Sequence, residues 1–248
     1  MTDDGGVALI TGAARRLGAA TARALHGRGY RVIVHYRSHE QDAIRLVSEL
    51  NDRQAGSAVS LQADLTKPEA IRDLAESAAD YWSRLDVLVN NASVFFPTPV
   101  GTLALQDWTN LVNTNLRAPV LLVEHLAEEI GLQGGCIVNL IDVYSERPLA
   151  DHPVYSATKA ALASLTRSWA RDLAPSIRTN GVSPGAVLWP EDAEVMDDEQ
   201  KQALLKRVPM HHTGDPGDVS GAVAWLVCDA PYVNGQIINV DGGRSILM

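Results

Sequence analysis

The chain has 248 residues, 46% apolar and 21% charged, which allows a sizeable core and rules out wholesale disorder. Thirty acidic residues against 21 basic ones leave a net charge of −9 and argue against the basic face that a nucleic acid or an anionic membrane requires. No run approaches the roughly 20 apolar residues of a membrane span, and the length suits one large domain.

The first strand-like run, 7–11, begins so early that no room is left for a signal peptide. Cys136 and Cys228 lie far apart and outside any cluster, so the expected compartment is the cytoplasm. Further short apolar runs follow at 31–36, 58–63, 87–91, 136–141, 179–183 and 236–240. Most are apolar on both sides, as parallel strands covered on both faces must be. Between them lie helical patterns at 16–28, 40–51, 67–82, 103–131, 152–174 and 216–228. This alternation predicts a single domain, 1–248, with a doubly wound, seven-stranded parallel sheet of Rossmann type and right-handed crossovers. The polar segment 187–213 breaks the rhythm and is expected to fold as a lid with a short helix inside.

The first strand ends in Thr11-Gly-Ala-Ala-Arg-Arg-Leu-Gly18 and opens a helix. Gly12 permits the tight turn and Gly18 permits close approach of helix to strand. The helix N-terminus then offers free N–H groups to a pyrophosphate. The second strand ends in His35-Tyr-Arg-Ser38, with no acidic residue before Glu40 to accept from a ribose 2′-hydroxyl. A guanidinium and a hydroxyl, Arg37 and Ser38, suit a 2′-phosphate, so NADPH is the expected coenzyme. The alternative for Arg37 is a solvated strand end.

Tyr155 and Lys159 stand four residues apart at the start of an alanine-rich helix, so phenol and ammonium share one face. A cation beside the phenol is expected to lower its pKa and ease proton exchange with substrate.

Here the residues resemble the short-chain dehydrogenase/reductases. Besides the glycine loop and the Tyr155/Lys159 pair, the resemblance rests on Ala63-Asp-Leu65, Asn90-Asn-Ala92, Asn113-Thr-Asn-Leu116, Ser183-Pro-Gly-Ala186 and Val240-Asp-Gly-Gly243. These run in the family's order along nearly the whole chain. The resemblance implies a nicotinamide-dependent oxidoreductase in which Tyr155 donates the proton, Lys159 binds the nicotinamide ribose and tunes Tyr155, and Asn115 holds a relay water. The implied coenzyme contacts are Gly12, Arg16, Leu17, Gly18, His35, Tyr36, Arg37, Ser38, Asp64, Leu65, Asn91, Ala92, Ser93, Tyr155, Lys159, Pro184 and Gly185. A homotetramer is also implied.

Three departures from the general family pattern occur together. Arg16 replaces a loop glycine, Ser93 replaces the glycine after Asn-Asn-Ala, and Asp142 stands thirteen positions before Tyr155 where the family has serine. All three resemble the pteridine reductase branch, whose members reduce pterins and folates with NADPH. The chemistry agrees. An ionised aspartate accepts and cannot donate, so it opposes an oxyanion but suits a ring C=N bond whose nitrogen needs a proton. Asp142 could serve equally as a helix cap. Phe95 and Phe96, the chain's two phenylalanines, sit in one loop. By resemblance Phe95 stacks on the substrate ring, whereas Phe96 could pack beneath the loop. The expected substrate contacts are Arg16, Ser93, Phe95, Asp142, Tyr155 and, in the lid, Trp189. His211 and His212 lack the carboxylates or cysteines of a metal site, so no metal is expected. Reduction of a dihydropteridine or dihydrofolate to its tetrahydro form leads. A carbonyl reductase acting on a 3-oxoacyl thioester or sugar ketone comes second, and a non-enzymatic NADPH sensor third.

Overall fold

A computed structural model describes residues 5–187 and 197–247. Seven parallel strands form one sheet in the order β3-β2-β1-β4-β5-β6-β7. In chain order these are β1 (Val7–Ile10), β2 (Arg31–Tyr36), β3 (Ala58–Gln62), β4 (Val87–Asn90), β5 (Cys136–Leu140), β6 (Arg178–Pro184) and β7 (Ile237–Val240). The helices are α1 (Arg16–His26), α2 (Glu40–Arg53), α3 (Pro68–Tyr81), α4 (Leu105–Val112), α5 (Ala118–Leu132), α6 (Pro153–Asp172), α7 (Asp198–Leu205), α8 (Pro216–Cys228) and α9 (Arg244–Leu247). The fold is the expected single-domain, Rossmann-type α/β sandwich. No helix among the described residues is long and apolar enough to cross a membrane.

Successive strand residues alternate between two apolar layers, as the twofold period of a strand requires. Ala8, Ile10, Val32 and Val34 pack with Leu25 of α1, Leu46 of α2 and Val223 of α8. Val7, Leu9, Ile33 and Leu88 face the other way, onto Leu74 of α3 and Leu122 and Leu126 of α5. Each large side chain buried in this way contributes about 2 kcal/mol.

The pattern read as one helix over 103–131 is broken at Asn113–Arg117 by a π-helical turn between α4 and α5. Pro119 has no N–H for the carbonyl four residues back, that of Asn115, and the helix widens there. A short helix, α7, does lie within 187–213. Its start is a capping box in which the Asp197 carboxylate and the Gln200 side chain each bond the other's backbone N–H.

Strand order reverses between β1 and β4, and their C-terminal ends open a crevice. Thr11 builds its floor. Its hydroxyl accepts from the N–H groups of Asn91 (2.9 Å) and Ala92 (3.0 Å), while Asn91 Nδ2 donates back to the Thr11 carbonyl at 2.7 Å. A Cβ on Gly18 would stand 2.4 Å from the Gly12 oxygen, so only glycine lets α1 start this close. On the other side, His35 of β2 holds three strand ends together. Its Nδ1 accepts from Gly12 N–H at 3.0 Å, which leaves Nε2–H to donate to the Ala63 carbonyl at 3.1 Å.

Burial lowers the His35 pKa to about 4, against an ordinary value of 6.5. The unfolded chain therefore binds a proton between those limits that the folded chain refuses, and stability falls as pH drops through the window. The expected loss is about 3 kcal/mol at full protonation of the unfolded form. Denaturant unfolding at pH 7, 6, 5 and 4 measures it. His35→Asn keeps an acceptor for Gly12 without titrating and should flatten the slope; an unchanged slope contradicts the assignment.

Candidate active site

A cleft of about 410 Å³ runs over the crevice, and a second hollow of about 180 Å³ continues from it, sharing Arg16, Leu17, Asn91 and Ser93 in its wall. The first is lined by Gly12, Gly18, His35, Tyr36, Arg37, Ser38, Asp64, Leu65 and Ala92 besides the shared residues. The second adds Asp142, Tyr155, Lys159, Pro184 and Gly185. All the residues expected to contact a coenzyme therefore fall on one continuous surface.

Several do so in ways their spacing did not foretell. His35 presents only ring surface to the cleft, because both nitrogens are engaged inside the protein. Burial would raise the Asp64 pKa, but the N–H and hydroxyl of Thr66 and the charges of Arg37 and Lys67 outweigh it and hold the carboxylate below its usual value. Asp64 is the one acidic group on this wall among the described residues, where Arg15, Arg16 and Arg37 bring positive charge. Arg16 has a left-handed backbone, φ 54°, a conformation natural to glycine and strained for arginine.

The cleft suits a dinucleotide, whose polar groups can meet its bare glycine loop and an unpartnered donor. Gly12, at φ 61°, must be glycine for packing, since an added Cβ would stand 3.0 Å from Ala92 Cα. Thr114, in the same wall, has a buried hydroxyl without a hydrogen-bond partner among the described residues.

In the second hollow the Tyr155 phenol donates to Asp142 Oδ2 at 2.8 Å. Asp142 Oδ1 accepts from the N–H of Tyr144 at 2.9 Å and caps a short 3₁₀ turn, Val143–Ser145. The two oxygens of this carboxylate thus have different partners, one the backbone of the turn it caps and the other the phenol. Lys159, fully buried, donates to the Leu140 carbonyl at 2.8 Å and lies 5.9 Å from the centre of the Tyr155 ring. Burial lowers its pKa to about 8, against a partial upward pull from Asp142.

The expectation that a neighbouring cation lowers the Tyr155 pKa is corrected here. Burial first, then the charge and hydrogen bond of Asp142, push the phenol well above its ordinary value, and a hydrogen bond with Ser93 offsets only part of this. Asp142 itself is pushed up by burial, more than its bonds to Tyr144 and Tyr155 and the charges of Lys159 and Arg244 pull it down.

Asn115 is tied down through its side chain. Its Oδ1 accepts from Val94 N–H (2.8 Å) and the Ser93 hydroxyl (3.2 Å), and its Nδ2 donates to the Val94 carbonyl (2.9 Å). The amide clamps the loop after β4 to the π turn. Phe95 lines neither hollow; half exposed, it stacks on His152 with ring centres 4.6 Å apart and meets the Tyr155 ring edge-on at 4.8 Å. Phe96 packs under the loop with Leu111, Val154 and Tyr155. Trp189 lies outside the described residues. The sequence reading missed His152 and Thr114, since no spacing rule joins 95 to 152 or marks a hydroxyl in a π turn.

Arg16→Gly should relieve the strained backbone and raise the unfolding midpoint of the coenzyme-free protein by roughly 2 °C. The same change should weaken dinucleotide binding about tenfold or more through loss of a charged donor. Thermal unfolding with coenzyme titration checks both, and a lowered midpoint contradicts the strain.

The family described as enoyl-(acyl carrier protein) reductase matches residues 12–245. Pteridine reductase 1 of Leishmania tarentolae is 35% identical, over 97% of this chain and 96% of its own length. 3beta-hydroxysteroid dehydrogenase 1 of Eggerthella lenta is 33% identical over 99% and 97%. A 3-oxoacyl-[acyl-carrier-protein] reductase of Synechocystis sp. is 32% identical over 96% of each chain. Similarity that runs almost end to end, over a crevice built to take a dinucleotide, has one meaning: the chain belongs to the short-chain dehydrogenase/reductase family of nicotinamide-dependent oxidoreductases.

Proposed function

We propose that this enzyme uses NADPH to reduce a ring C=N bond of a dihydropterin or dihydrofolate. The observation that carries the reading is the Asp142 carboxylate, which accepts the Tyr155 phenol proton at 2.8 Å. In a ketone reductase the phenol must give that proton to an oxygen gathering negative charge, and a carboxylate beside it opposes that charge. A ring nitrogen that gains a proton as its neighbouring carbon is reduced faces no such conflict.

Gly12, Leu17 and Gly18 would admit the coenzyme backbone, Arg16, Arg37 and Ser38 would take its 2′-phosphate and pyrophosphate, and Lys159 its nicotinamide ribose. NADPH, when bound, supplies the hydride to the ring carbon. The protein's own task is then the proton. Asp142 and Tyr155 share one hydrogen bond, and burial raises the proton affinity of both groups. With the phenol made a weaker acid by burial and the carboxyl a weaker one than usual, the pair keeps one proton between Asp142 Oδ2 and Tyr155 Oη and delivers it to the ring nitrogen. Lys159, cationic below about pH 8, balances the charge left behind. Phe95 would reach a bound ring only by leaving its stack on His152, beside which it meets the Tyr155 ring edge-on.

The similarity to a pteridine reductase agrees with this reading. A second reading, reduction of a 3-oxoacyl thioester, is favoured by a relative of nearly equal identity. Asp142 speaks against it.

Coenzyme oxidation followed with dihydrobiopterin, dihydrofolate and acetoacetyl-CoA separates the two. Turnover of the first two and not the third is expected, with NADPH preferred to NADH by about tenfold or more. Tyr155→Phe should cut turnover about a hundredfold or more while NADPH affinity stays unchanged. Asp142→Ser should lower pterin turnover and raise thioester turnover. Thioester turnover alone in the unaltered enzyme establishes the second reading instead.

A further inference from the structure

Behind the Asp142–Tyr155 pair stands another buried cation. Arg244 opens α9 and is only 8% exposed. The turn before it is locked by Asp241, whose carboxylate accepts from the N–H groups of Gly243 (2.9 Å) and Ser245 (2.7 Å), while Gly242 and Gly243 take left-handed conformations. From there the guanidinium reaches back a hundred residues along the chain. It donates to the Tyr144 hydroxyl at 2.7 Å, with its central carbon 5.1 Å from that ring's centre. Its Nε is buried and has no partner among the described residues.

Tyr144 is the residue whose backbone N–H holds Asp142 Oδ1 at 2.9 Å. Tyr144 therefore joins the C-terminal helix to the Asp142–Tyr155 pair by its two ends: its ring hydroxyl is held by Arg244, and its backbone N–H holds Asp142. A guanidinium withdrawn from water needs compensating negative charge. The acidic groups that feel its charge are Asp142 and Asp241. Asp241 holds the turn that carries Arg244, whereas Asp142 lies in the wall of the second hollow beside Tyr155.

We propose that Arg244 is a positioning residue: by holding the Tyr144 hydroxyl it fixes the turn whose backbone N–H seats the Asp142 carboxylate against the Tyr155 phenol. The proposal rests on the reading of Asp142 and Tyr155 as the proton-delivering pair. The groups that face Asp142 are Tyr155 and Lys159 on α6, Tyr144 on its own turn, Arg244 on α9 and Arg16 at the start of α1. Asp142 is the one carboxyl in this group, so a carboxyl titration reads it directly.

Arg244→Met keeps the bulk and removes the charge. In protein labelled with ¹³C at its aspartate carboxyls, with Asp142→Asn to identify the signal, the Asp142 titration should move up by roughly one pH unit. With any substrate that turns over, the acid limb of kcat/KM should move with it. Arg244→Lys should recover at least half of the movement. Tyr144→Phe, which removes only the oxygen that Arg244 holds, should shift the titration the same way by less, and it serves if the methionine variant does not fold. An unmoved Asp142 titration in folded Arg244→Met or Tyr144→Phe overturns the proposal, as does a lysine variant no better than methionine. The carboxyl titration needs no substrate, so failure of pterin turnover overturns the functional reading and leaves this test standing.

Discussion

The site is organised by one hydrogen bond, from the phenol of Tyr155 to the carboxylate of Asp142. It sets the direction in which the phenol points, the protonation state of both groups and the charge a substrate meets. Its geometry is held from three sides. Lys159 ties α6 to the end of β5 through the Leu140 carbonyl, the Tyr144 N–H fixes the other carboxylate oxygen, and Asn115 pins the loop after β4 that carries Ser93 beside the phenol. Each holder comes from a different element, so the pair is preorganised before any ligand arrives.

The larger cleft and the hollow that holds the Asp142–Tyr155 pair are linked by residues that line both. Arg16 and Ser93 line both hollows, and they are two of the three positions where the chain departs from the general family pattern. The third is Asp142. The three departures, far apart along the sequence, therefore meet in one volume, where a left-handed arginine, a serine and a carboxylate set the polarity of the space beside the phenol. Strain kept at Arg16 is the kind that persists where the surrounding structure demands it.

Most of the fold was legible because its signals are local. Two-sided apolar runs mark buried parallel strands, and every strand lies within a residue or so of its sequence estimate. Thr11 illustrates the margin: it reads as strand but turns its hydroxyl to Asn91 and Ala92 and closes the crevice instead. The π turn was missed because helical periodicity tolerates one extra residue, although Pro119 was in view. Within the site, residue identities were readable and their electrostatics were not. Lys159 four residues from Tyr155 suggests a phenol made more acidic; the reverse holds because burial and Asp142 outweigh a cation committed to a carbonyl. Likewise the support from His35, His152 and Arg244 depends on contacts between distant segments, which a single chain's letters do not encode.

The most direct measurement is a crystal structure of the enzyme with NADPH and a dihydropterin. The expected result places Asp142 Oδ2 and Tyr155 Oη together within hydrogen-bond reach of the ring nitrogen being protonated, with the ring flat between the nicotinamide and Phe95. A carboxylate turned away from both phenol and ligand, or a hollow too narrow for the bicyclic ring, contradicts it.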